Sequence, residues 1–190
     1  MKLETEKCLL GAVIGLLAGV VATGPMTVAM LVWHRRLPQR ERYPLPPREI
    51  TMKLARKAGV AEKMTPEARS AATFLAHFGY GGAAGAIYGA LIDEVPVRPV
   101  LKGIGFGLLV WTGSYLGYLP GTGILHSATR HPVRRNLLMI VAHVVWGAAT
   151  GLATGLFKEE AQGAGQQPFS SVAARHKDVK SSGDGVRARN

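Results

Sequence analysis

The sequence is short of acid, of aromatic rings and above all of cysteine. A single cysteine, Cys8, in 190 residues excludes an internal disulfide framework and any Cys-based zinc site. Twelve acidic residues stand against 23 basic ones, and none of the acids lies inside a long apolar stretch. No carboxylate dyad, phosphate-binding loop or nucleophile–base pair is present, so an enzyme is not expected. Charge itself is missing from whole segments: only 18% of residues are charged against 47% hydrophobic, and long apolar blocks alternate with short basic ones. A soluble domain would scatter its charges along amphipathic elements. The net charge of +11 also argues against nucleic acid once it is mapped. Residues 34–69 carry +6, residues 120–136 carry +3 and residues 158–190 carry +2, whereas the N-terminus and residues 93–102 sum to zero. That banding follows the positive-inside rule of membrane proteins.

Four apolar stretches, at about 9–33, 70–92, 101–119 and 137–157, approach or exceed the roughly 20 helical residues that cross a hydrocarbon core. The first has no ionisable residue. It is too long for a signal peptide, follows an acid-containing MKLETEK and lacks a clear A-x-A site. Pro25 within it predicts a kink, with Thr23 and Thr27 placed to satisfy the freed carbonyl. The expected fold is therefore all-α: a membrane domain over 1–157 built as a four-helix bundle, followed by a disordered tail over 158–190.

Between the first two stretches, HRRLPQRERYPLPP predicts an extended segment. REITMKLARKAG then predicts a short helix, with Pro47 near its start and Gly59 as a cap. Its Ile50, Leu54 and Ala58 share one face beside Lys53, Arg56 and Lys57. That pattern suits either an anionic headgroup surface or an ordinary solvated linker. Thr65-Pro66-Glu67 opens the next helix. Connections 34–69 and 120–136 hold thirteen Lys and Arg, which predicts both in the cytoplasm and both termini outside. His34, His126 and His131, beside so many arginines, are expected to contact headgroups.

Glycine is the opposite of scarce. Seventeen of 24 lie inside the apolar stretches, where soluble proteins would put them in turns. They form ladders four residues apart: Gly11, Gly15 and Gly19; Gly81, Gly85 and Gly89; Gly147, Gly151 and Gly155. The third stretch is less regular, with Gly103 and Gly107, then Gly113 and Gly117. Residues four apart share a helix face, so each ladder is a groove for close approach of a neighbouring backbone, a glycine zipper. The ladders can close on each other, or one can face outward and make a homodimer. AHFGYGGAAGAIYG (76–89) matches AHVVWGAATGLATG (142–155), and GxxxGLL recurs at 11–17 and 103–109. Two parallel helical-hairpin repeats follow, as in parallel-repeat transporters or in a purely structural duplication.

The repeat puts His77 and His143 in equivalent positions, well inside the spans. Such intramembrane polar residues are site candidates by default. Three readings stay open: neutral histidines bonded to a carbonyl or to Thr112 or Ser114, a proton- or ion-handling pair, and axial ligation of a haem. Two histidines alone make a poor zinc site, so no metal site is assigned. No cofactor is expected, with haem the weaker alternative.

The segments ATGPMT (22–27), RERYPLPPREIT (40–51), AHFGYGGAAGAIYG (76–89) and ATRHPVRRN (128–136) resemble the YagU-like group of bacterial inner-membrane proteins. The resemblance covers about 10–157. It implies a multi-pass protein without an established activity, so no residue roles carry over. The functional expectation is a structural or accessory membrane protein, its partners being the bilayer, anionic headgroups and a second copy or another membrane protein. The alternative is a small transporter, channel or proton relay working at the two histidines.

Overall fold

A computed structural model describes residues 2–91 and 95–165, and it is helical throughout its regular structure, with no strand among the described residues. The chain divides into two compact units, Met1–Gly155 and Leu156–Asn190. The principal helices are α1 (Lys2–His34), α2 (Pro46–Lys57), α3 (Pro66–Leu91), α4 (Pro99–Thr112) and α6 (Val133–Gly165). A π-helical turn at Gly113–Tyr118 leads from α4 into the single turn α5 (Leu119–Gly121). In the second unit α6 continues as helix through residue 165. The rest of the 158–190 tail lies outside the described residues, as do Asp93 and Glu94, acids that close the second apolar stretch and read from the sequence as interfacial caps.

Local chemistry accounts for the helix ends. Pro46 and Pro47 occupy the first turn of α2, where a missing N–H costs nothing. Gly59 ends it at φ 71°, a left-handed conformation suited to glycine. Thr65 Oγ1 accepts the Ala68 N–H at 3.2 Å and caps α3. α1 stays helical through Pro25, but the threonines do not serve the carbonyl that proline frees. Thr23 Oγ1 donates to Gly19 O and Thr27 Oγ1 to Thr23 O, each at 2.7 Å, the usual bond of a helical hydroxyl to its own preceding turn.

Two of the helices, over Leu3–His34 and Val133–Gly163, are long and apolar enough to cross a membrane. The other two expected spans are not of that kind, for identifiable reasons. Five glycines together with Ser70, Thr73, His77, Tyr80 and Tyr88 lower the hydropathy of α3, and the π turn interrupts the 99–121 segment after Thr112.

Glycine decides how the helices meet. α1 and α3 run antiparallel with their ladders in contact. A β-carbon at Gly15 would strike the Gly85 carbonyl oxygen and stand 2.8 Å from Gly89 Cα, and one at Gly85 would stand 2.7 Å from Gly19 Cα. Gly11 meets Gly89, and Gly19 meets Gly81, in the same way. α4 and α6 repeat the device, with Gly103 on Gly147, Gly107 on the His143 carbonyl, and Gly151 on the Pro99 carbonyl. Gly155 marks the end of this contact, its nearest neighbour being Pro99 Cγ at 4.0 Å. Gly113 and Gly117, expected to pack, meet nothing within 4 Å. Six residues past Gly107, Gly113 falls on a different side of the helix, and the π turn carries both away from α6.

The two helix pairs differ in register. Under the GxxxGLL alignment Gly15 corresponds to Gly107, yet Gly15 faces Gly85 while Gly107 faces His143 and Gly147. The pairs are thus slid by about two helical turns relative to the sequence alignment. Faces that repeat every four residues stay in contact after a slide of whole turns, so spacing alone cannot set the register.

Trp146, 2% exposed, ties the pairs together by donating its indole N–H to Gly19 O at 3.2 Å. Tyr88, Phe106 and Trp146 continue this contact as a run of rings with centroids 5.4 and 6.1 Å apart. Around it Met26, Met30, Tyr115, Leu119, Leu138 and Met139 form the buried core.

Candidate functional site: a histidine-lined cavity beneath an arginine clamp

The two basic connections meet in space, and Arg135 joins them. It is 5% exposed and has no carboxylate partner in its hydrogen bonds. Its guanidinium donates to the backbone carbonyls of Glu41 at 2.9 Å, Tyr43 at 3.0 Å and Pro44 at 3.0 Å. Its carbon lies 3.5 Å from the centre of the Tyr43 ring. A planar fork with several donors and a flat face suits this task, and a lysine does not. The segment expected to be extended forms a 3-10 turn at Gln39–Glu41; from the end of that turn to Pro44 its prolines keep the carbonyls out of a continuing helix, and a single arginine collects three of them.

The histidines nearby act differently from the expectation that they contact headgroups. Tyr43 Oη pairs with His131 Nδ1 at 2.8 Å, and His34 Nε2 donates to the Tyr43 carbonyl at 3.1 Å. Both are drawn into the protein because Tyr43 in this connection offers them polar partners, while His126 stays exposed. Burial, and then the charge of Arg135, holds the His131 imidazole below its ordinary range. Burial raises the Tyr43 phenol, with the Arg135 guanidinium opposing that shift. Lys57 at the end of α2 adds a bond to Thr122 O at 3.2 Å.

Below this clamp lies a cavity of about 220 Å³ that receives side chains from α1, α2, α3, α6 and the segment after α4. His77 and His143, 66 residues apart in the chain, both line it. His143 is buried, and its Nδ1 donates to the Met139 carbonyl at 2.7 Å. A carbonyl only accepts, so Nδ1 carries the proton and Nε2 keeps its lone pair. His77 Nε2 is buried without a hydrogen-bond partner. Neither histidine bonds Thr112 or Ser114, the partners expected for them. Ser114 Oγ pairs instead with Tyr80 Oη at 2.9 Å, because the π turn presents Ser114 to α3.

Several cavity residues went unrecognised in the sequence. Ile50 and Leu54 show that the apolar face of α2 turns to the cavity as well as to its surroundings. Met26, Met30 and Met139 line the wall. Their spacing was the available signal: Met26 and Met30 are four residues apart, as are Met139 and His143. Tyr80 and Trp146, aligned when 76–89 is matched to 142–155, part company here. Tyr80 is 53% exposed, whereas Trp146 is buried. The volume falls below the roughly 300–1,000 Å³ of pockets for drug-sized ligands. It fits a small solute or an ion.

Neither a curated protein nor a solved structure matches the chain. A family model does match, from Met26 to Leu152, a region that takes in both basic connections, Arg135 and both cavity histidines. The chain therefore belongs to that family, described as a protein of unknown function (DUF1440).

Proposed function

We propose that this is a multi-pass protein of the bacterial inner membrane, akin to the YagU-like group, that binds a small solute or ion at the His77/His143 cavity as a small transporter or channel. The membrane reading rests on the large apolar side chains that stand exposed on every long apolar helix. Leu17 and Val28 on α1, Leu75 and Ile87 on α3, Leu109 on α4 and Leu152 on α6 are all about half exposed or more. Water does not tolerate so extensive an apolar surface on a monomer, and lipid does. In this reading α1, α3, the 99–121 segment and α6 form a four-helix bundle of two glycine-zippered hairpins. In lipid no hydrophobic effect drives helices together, so backbone approach through glycine supplies the contact. Each ladder is covered by another helix of the same chain, so a homodimer through a ladder would require one pair to open.

A cavity that brings two intramembrane histidines together favours solute handling over a purely structural role. The exposed Arg35, Arg36, Arg40 and Arg134 on the joined connections suit anionic headgroups on the cytoplasmic face. Reporter fusions within 34–69 and after residue 165 test the topology. Signals placing the two on opposite sides support four spans with a cytoplasmic connection preceding an odd crossing; a fusion after residue 165 on the cytoplasmic side overturns the orientation. Proton leak from vesicles holding the purified protein tests the cavity. Leak that vanishes on replacing both histidines by Asn supports the site, and leak that persists unchanged removes it.

A further inference from the structure

The cavity has a donor set that a generic solute site does not need. Of six methionines in the chain, Met26, Met30 and Met139 all line this one cavity together with His77 and His143. They come in two pairs from two helices. Met26 and Met30 share one face of α1, and Met139 and His143 share one face of α6, each pair four residues apart. The spacing is that of paired metal ligands on a helix. His77 joins from α3.

The imidazoles are prepared in the manner of ligands. His143 gives its Nδ1 proton to the Met139 carbonyl at 2.7 Å, which orients the ring and leaves Nε2 as a free lone pair. Metal-bound histidines characteristically give their other N–H to a carbonyl or carboxylate in this way. His77 Nε2 has no hydrogen-bond partner although it is buried, and a buried polar atom left so is costly unless something binds it.

The chemistry of these donors selects the ion. Thioether sulfur and neutral imidazole are soft or borderline ligands, and thioether prefers Cu(I) among the biological metals. Among the described residues no carboxylate or thiolate lines the cavity, so nothing there would offset a divalent charge, and zinc or magnesium would lack the ligands they require. We propose that the cavity is a binding site for a soft monovalent metal ion, Cu(I), held among the sulfurs of Met26, Met30 and Met139 and the imidazoles of His77 and His143. This rests on the reading of the cavity as a small-solute or ion site, and it names the ion.

The test uses the full chain in detergent, in a Cys8→Ser background that removes the one thiol able to bind the metal elsewhere. Cu(I) is titrated under reducing conditions against a chromophoric chelator, with Ag(I) as a redox-inert second probe. One ion should bind per chain. Met26→Leu, Met139→Leu and His143→Asn should each weaken binding roughly tenfold or more. Leucine keeps the volume of methionine, so unchanged helicity and elution of the Leu variants separate lost ligation from lost folding. No withdrawal of Cu(I) from the chelator, or binding unchanged in a Met26→Leu/Met139→Leu double variant, overturns the inference. If Cu(I) fails to bind while the double Asn replacement still abolishes proton leak, the metal falls and the cavity reading stands. If both fail, both fall.

Discussion

Replacing Gly85 by alanine adds one methyl group where the structure has no room for it. The new carbon would strike the Gly15 carbonyl oxygen and stand 2.7 Å from Gly19 Cα and 3.0 Å from Gly19 N. All three are backbone atoms, so no side chain can swing aside. Ordinary carbon contacts need about 3.5–4.0 Å, so α1 and α3 must part by about 1 Å. A gap of that size forfeits about a quarter to a half of each contact, worth about 0.1–0.2 kcal/mol per atom pair. Over on the order of 30 pairs along the ladder the loss reaches about 2 kcal/mol, within the range of about 1–3 kcal/mol for overpacked cores. In a chain of this length that corresponds to a fall of about 4–8 °C in the unfolding midpoint. Gly79→Ala is the matched control, because a methyl there meets nothing within 4 Å on the same helix. On helix preference alone it should leave stability unchanged or raise it by about 0.5–1 kcal/mol. Thermal melts of both variants in one detergent, followed by circular dichroism, make the comparison. If Gly85→Ala melts within about one degree of Gly79→Ala, the zippered contact does not hold α1 to α3 and the packing argument fails.

Three further outcomes follow from the same structure. Arg135→Lys keeps the charge but loses the fork that gathers three carbonyls and the face that stacks on Tyr43; it should cost about 2–3 kcal/mol and expose residues 34–45 to limited proteolysis. Trp146→Phe keeps the ring and removes the bond to Gly19 O, so its melt should fall by an amount equivalent to about 1 kcal/mol; no change would show that the indole N–H contributes nothing to joining the pairs. The third concerns pH. The folded His131 imidazole lies below its ordinary value of 6.5, so the unfolded chain takes up a proton there first. Its contribution is whole above 6.5 and is lost as pH falls from there toward the lower folded value. Wild type should therefore lose more stability than His131→Asn between about pH 7.5 and about pH 5.5, and parallel losses would refute the assignment.

Much of this was legible in the chain. Apolar runs, Pro at helix starts, Gly59 as a cap and Thr65 before α3 are local signals, and local energetics decide them. The glycine ladders and the matched histidines were equally plain, because a four-residue spacing defines a helix face whatever lies opposite. The neighbours of each face were not. His34 and His131 looked like headgroup contacts because their strongest polar partners, the Tyr43 carbonyl and hydroxyl respectively, sit 9 and 88 residues away in the chain. Gly113 and Gly117 looked like packing residues because their spacing of four does not reveal the π turn that contains them.

By itself, then, the sequence determined that the chain is helical, where its apolar segments lie, which faces are bare enough for close approach, and which connections are basic. Each of these depends on neighbours within a turn or two. Only the tertiary structure decided which ladder meets which, the register at which each pair stops sliding, and the gathering of Met26, Met30, His77, Met139 and His143 around one cavity. Ladders that repeat every four residues are nearly degenerate in register. That degeneracy is broken by contacts made once, between residues far apart: the Trp146 bond to Gly19 and the Arg135 grip on residues 41–44.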